Sequence, residues 1–131
     1  MNKSLMDNLV LLFFGFQYLS FGLIGLLNPI YAASLVSFTL NELVSFSEIR
    51  ANYSFFIVLG ILSFYSIYNR KLLKITYSIF LLVCGSYAFG RIFSFFMDGY
   101  PNRLIVIIVS IELIGFLLAI WRLRFLIKKS I

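Results

Sequence analysis

At 131 residues, with 62% hydrophobic and 12% charged residues, the chain is far more apolar than soluble domains, which hold roughly 45–50% and about 25%. Its net charge of +6 comes with no histidine and a single cysteine, Cys84. An intramolecular disulfide is excluded, haem, zinc and a histidine-based triad are poor fits, and no cofactor or metal site is expected.

Four apolar runs follow in chain order. Leu9–Leu27 and Ala51–Asn69 contain no charge, Ile75–Met97 contains only Arg91, and Leu104–Trp121 contains only Glu112. Runs of this length suffice to cross a bilayer as helices. Gly15, Gly22 and Gly25 share roughly one face of the first run with Tyr18, which suits close approach of a neighbouring helix. Gln17 is the one strongly polar side chain at its middle. Asn28-Pro29 ends the first helix, because proline disfavours helical backbone in the residue before it. Ser34–Ser47 mixes polar residues with Leu35, Val36, Phe38, Leu40, Leu43, Val44 and Phe46, and is expected to lie at the interface as a short helix. The second span begins near Glu48, the third ends before the turn signal Asp98-Gly99-Tyr100-Pro101-Asn102, and the fourth stops where Arg122 and Arg124 reach the headgroups. The predicted fold is all-α: one integral-membrane four-helix up-down-up-down bundle over residues 1–131, with spans at about 8–28, 48–69, 75–97 and 104–122 and a short interfacial segment between the first two.

Charge sets the expected orientation. Lys3, Arg70, Lys71, Lys74, Arg122, Arg124, Lys128 and Lys129 all fall on one side of such a bundle, whereas Arg103 is the only base in the opposite loops, Asn28–Ser47 and Asp98–Arg103. The positive-inside rule then places both termini in the cytoplasm, in an inner membrane. The basic tail reads as an orientation signal that touches anionic lipid, not as a nucleic-acid contact. A cleaved signal peptide, with Tyr31-Ala32-Ala33-Ser34 as its cleavage region, fits poorly because Leu9–Leu27 exceeds an h-region of about 7–15 residues.

The intramembrane charges are the main functional clue. Arg91 lies ~9 Å inside the outer boundary and Glu112 ~12 Å, counted at helical rise. An unpaired charge at such depth costs on the order of 3 kcal/mol or more, so an Arg91–Glu112 pair, direct or through water, is expected. Cys84, Tyr87, Arg91, Ser94 and Asp98 recur at helical spacing on one stripe of the third span, while Ile108, Glu112, Gly115 and Ala119 share a face of the fourth. Glu48 and Asn52 are one turn apart in the second span, with Arg50 and Tyr53 pointing elsewhere. Glu48, Asp98 and Glu112 can balance Arg50, Arg91 and Arg103, which suits an ion-pair network fixing which helices are neighbours. The candidate ligand-binding or ion-pair residues are Glu48, Arg50, Asn52, Tyr53, Tyr87, Arg91, Ser94, Asp98 and Glu112.

These residues also carry a family pattern. A Gly-Leu-rich helix end with proline stands at Phe21-Gly22-Leu23-Ile24-Gly25-Leu26-Leu27-Asn28-Pro29, and an acid, Arg and Tyr open the second helix in Glu48-Ile49-Arg50-Ala51-Asn52-Tyr53. Gly90-Arg91, Ser94 and Asp98-Gly99-Tyr100-Pro101 close the third helix, and Glu112 is a lone acid in the fourth. In these features the chain resembles a family of small bacterial four-helix membrane proteins known as domain of unknown function 4345. That resemblance implies the fold and the choice of residues but no activity. Ser54-Phe55 stands where the family often has two glycines, which implies a narrower site here. A looser architectural likeness is to quinone-linked membrane proteins of the DoxX type.

Two functions compete. In the first, an outward-facing polar pocket binds a lipid, quinone or other small amphiphile, with Arg91 meeting an anionic or carbonyl group and Glu112 tuning its orientation. In the second, the chain is a structural or accessory subunit whose charges only pair helices, within the chain or towards a membrane-protein partner or second copy. An enzyme or proton-coupled carrier using Glu112 is a third reading, but no catalytic motif supports it. Membrane lipids are the expected surroundings in every case.

Overall fold

A computed structural model describes residues 3–128. Lys129, counted above with the basic tail, lies outside the described residues. The chain is all-helical among the described residues, with the order α1 (Lys3–Leu27), α2 (Pro29–Leu35), α3 (Leu43–Tyr68), a 3-10 turn (Arg70–Leu72), α4 (Leu73–Met97) and α5 (Arg103–Lys128). Four of these helices, α1, α3, α4 and α5, are long and apolar enough to cross a membrane. At 25 or 26 residues each they exceed the ~20 needed for a hydrocarbon core of about 30 Å.

The helices overrun the apolar runs for a simple reason. Hydropathy marks where a segment can meet lipid, whereas backbone hydrogen bonding continues until a cap or turn stops it. α3 therefore starts at Leu43, before Glu48, and α5 continues past Trp121 to Lys128. Lys128 in the last turn of α5 also complements the negative end of the helix dipole.

The short helix lies earlier than expected. It occupies Pro29–Leu35, and most of Ser34–Ser47 is instead a turn followed by the first turns of α3. Asn28 causes this: its side-chain Oδ1 accepts the backbone N–H of Tyr31 at 3.1 Å, and Pro29 occupies the first turn, where its missing N–H does no harm. The same Asn-Pro pair that ends α1 thus starts α2. Ser37, at φ 58°, turns the chain out of α2.

The chain divides into two compact units, Met1–Arg70 and Lys71–Ile131. In the first, α1 and α3 run antiparallel along a glycine seam. A Cβ added at Gly22 would lie 2.7 Å from the Ile57 backbone nitrogen and 2.9 Å from the Tyr53 carbonyl oxygen, so two backbones touch there. Gly60 of α3 answers from the other side, where an added Cβ would lie only 2.8 Å from the Leu19 nitrogen. Gly25 leaves room for the ring of Tyr53, and Gly15 for that of Phe64. Tyr18 stacks on Phe56, which meets Tyr53 edge-on. Dispersion and close fit can hold such a seam where lipid is as apolar as the helix surface.

In the second unit α4 and α5 are also antiparallel, with Phe116 set against Gly85. Gly99, at φ 102°, makes the turn between them, and Asn102 Oδ1 accepts the N–H of Ile105 to cap α5. Hydroxyls inside the helices are satisfied locally. Ser63, Ser66 and Thr76 are fully buried, and each donates to the carbonyl four residues earlier. These local bonds let hydroxyl groups enter an apolar helix at little cost. Large apolar side chains such as Phe16, Leu82, Phe89 and Phe96 point outwards, as a lipid-facing surface requires.

Candidate functional site

Antiparallel packing brings Arg91, late in α4, beside Glu112, in the first half of α5. Arg91 Nε donates to Glu112 Oε1 at 3.2 Å, with the side chains 30% and 15% exposed. The guanidinium also lies over the Tyr87 ring, 5.8 Å from its centroid, one helical turn back. The bond is single-pronged. Arginine and a carboxylate commonly pair through two parallel bonds, but here Glu112 Oε2 is buried without a hydrogen-bond partner, and the outer fork of Arg91 is not committed to it. The pair consequently neutralises charge while leaving an acceptor and a set of donors unmatched.

Ser94 and Asp98 close the same stripe of α4. Ser94 Oγ donates to Asp98 Oδ2 at 2.6 Å, so this acid is engaged locally at the helix end. Gly90 adjoins Arg91 on the chain, and a Cβ placed on it would meet nothing within 4 Å. No packing inside the protein demands glycine there, although a glycine within a helix is destabilising by roughly 0.5–1 kcal/mol relative to alanine. Gly90→Ala is therefore expected to raise the melting temperature in detergent slightly. A fall instead would show that Gly90 is packed against something.

The other four candidates belong to the Met1–Arg70 unit. Arg50 Nε donates to the Leu26 carbonyl oxygen at 3.3 Å, which gives it a structural task, satisfying one of the last carbonyls of α1. Tyr53 fills the space over Gly25, Asn52 is exposed, and Glu48 is exposed near the start of α3. Gln17 Oε1 is buried in α1 without a hydrogen-bond partner.

Sequence reasoning missed two buried charges. Asp7 is 2% exposed and Arg122 8%. Both lie just outside the apolar runs, so hydropathy assigns them to the headgroup region. The available signal for Asp7 was its sign, a lone acid on the side that collects the bases.

Over residues 6–123 the chain matches the family described as Domain of unknown function (DUF4345). No curated protein and no solved structure matches it.

Proposed function

We infer the function from the site itself, because the chain belongs to the Domain of unknown function (DUF4345) family, whose description assigns no activity. The protein is a multi-pass membrane protein that holds a lipid, quinone or other small amphiphile by its polar end at Arg91 and Glu112. It crosses a bacterial inner membrane four times, up-down-up-down, with both termini in the cytoplasm, as the distribution of its bases supports. The site then opens towards the outer half of the membrane.

One observation carries this reading: the single-pronged ion pair. The uncommitted fork of Arg91 suits a carbonyl, carboxylate or phosphate oxygen, and the bare Oε2 of Glu112 suits a hydroxyl or N–H donor. Tyr87 supports the guanidinium from one side, and Ser94 and Asp98 continue the polar stripe towards the end of α4. Glu48, Arg50, Asn52 and Tyr53, the other candidate polar residues, belong to the Met1–Arg70 unit and stand apart from this pair in the chain. The open space at Gly90 supports the same reading, since a ligand approaching Arg91 gains from a missing side chain.

The test is native mass spectrometry with lipid extraction, on protein purified in mild detergent beside Arg91→Ala and Glu112→Gln. A defined small molecule retained by the wild type and lost from both folded variants is the expected result. Bulk lipid alone, equal in all three proteins, would rule the reading out.

The alternative is a structural or accessory subunit, favoured by the contact itself, since the Arg91–Glu112 bond ties α4 to α5. Charge exchange between the two positions separates the readings.

A further inference from the structure

We propose that Arg70, oriented by Asn8 and Ser4, binds the phosphate of an anionic phospholipid headgroup at the end of α1 and α3. Arg70 directly follows Asn69, the C-terminal cap of α3, and so stands where that membrane-length helix stops. Lipid phosphates lie at this level of a bilayer. Tyr68, two residues earlier, is 86% exposed, as suits a ring at the headgroup boundary.

The guanidinium is built into place rather than left waving in solvent. Nη2 donates to Asn8 Oδ1 and, at 3.4 Å, to Ser4 Oγ. Asn8 and Ser4 are one turn apart on α1, so a single face of that helix presents both acceptors. Both partners are neutral. They fix the direction of the fork and contribute no negative charge. Nη1 is buried and has no hydrogen-bond partner. A half-buried cation with one bare nitrogen and neutral supports is complementary to an anion with several acceptor oxygens, which a phosphate provides and a zwitterionic or neutral headgroup provides less well. Lys71 continues the same 3-10 turn and Lys74 follows in α4, so the local sequence adds positive charge.

Inorganic phosphate shares this chemistry, so the experiment has two arms. In the first, wild type and Arg70→Gln are reconstituted in nanodiscs of phosphatidylcholine with a minority of phosphatidylglycerol, and retained lipids are read by native mass spectrometry. The wild type is expected to enrich phosphatidylglycerol, and Arg70→Gln to lower that enrichment about fivefold, the value of one cation at a charged membrane surface. Arg70→Lys keeps the charge but loses the fork, and is expected to fall in between. In the second arm inorganic phosphate is titrated onto phospholipid-free protein in neutral detergent and followed by phosphorus NMR. Arg70-dependent line broadening there, with equal lipid enrichment in both proteins, would assign the site to free phosphate and overturn the lipid. Equal behaviour of wild type and Arg70→Gln in both arms would overturn the site. If Arg70→Gln fails to fold, Arg70→Lys decides by itself: undiminished enrichment overturns the site. The proposal uses residues remote in sequence from Arg91 and Glu112, and does not depend on the function inferred for that pair.

Discussion

Arg91→Glu and Glu112→Arg, made singly, are each expected to destabilise the protein by about 3 kcal/mol or more, and the double exchange to recover most of that loss. Removing one partner of a fully buried pair costs roughly 3–5 kcal/mol. Arg91 and Glu112 are 30% and 15% exposed at the side chain, so the lower end applies. Each single reversal also places two like charges within a span, where one unpaired charge already costs about 3 kcal/mol. The double variant restores opposite signs on the same two helices. Denaturation in bicelles with sodium dodecyl sulfate measures all three, and a double variant as unstable as the two singles combined would remove the pair from the account of stability. Ligand retention should not follow stability. With the guanidinium moved to α5, the donors and the free carboxylate oxygen change places, so a protein that refolds and still fails to hold its small molecule identifies binding as a task separate from packing. Recovery of folding with no small molecule in any form favours the structural subunit instead.

The second large effect is expected along the glycine seam. At Gly22 a methyl group would be forced to within 2.7 Å of the Ile57 backbone nitrogen and 2.9 Å of the Tyr53 oxygen. Backbone atoms cannot rotate away, so α1 and α3 must separate, and overpacking of this kind costs typically about 1–3 kcal/mol. At Gly25 the clash is closer, 2.0 Å, but the three nearest atoms all belong to the Tyr53 ring. The two positions therefore respond differently to a second change. Gly25→Ala should be largely rescued by Tyr53→Ala, whereas Gly22→Ala should stay destabilised with Ile57→Ala, because the backbone contact remains. Thermal melting in detergent across the four single and two double variants gives the comparison. Equal rescue at both positions would mean that side chains, not backbones, set the distance between the helices.

The sequence makes some parts of this molecule easier to read than others, for reasons that can be named. Four membrane-length helices are legible because an apolar run that long has few other uses. The glycines of α1 are legible as a packing face because their spacing is helical, but their partner Gly60 is a lone glycine in α3, with no spacing to mark it. The start of α2 follows from Asn28-Pro29, a cap and first-turn pair that the greasy stretch after it obscured. Arg50 looks like a member of an ion-pair network, yet its structural partner is the Leu26 carbonyl, and no side-chain pattern in the sequence announces a backbone acceptor. For the candidate site, depth alone brings Arg91 and Glu112 to similar levels. Which oxygen and which nitrogen meet depends on helix rotation, and the unmatched Oε2 follows only from that detail.

The division at Arg70 also bears on how the protein is made. Every atom of the glycine seam, from Gly15 and Gly60 to Gly25 and Tyr53, has been synthesised once the chain reaches Arg70. The same holds for the Arg70–Asn8 bond, which ties the last residue of that unit to its first helix. If the four long helices insert in a membrane as proposed, a nascent chain can therefore zip α1 to α3 as a hairpin before α4 leaves the ribosome. The α4–α5 hairpin can follow as a second packet with its two charges already opposed, so that neither Arg91 nor Glu112 is left unpaired.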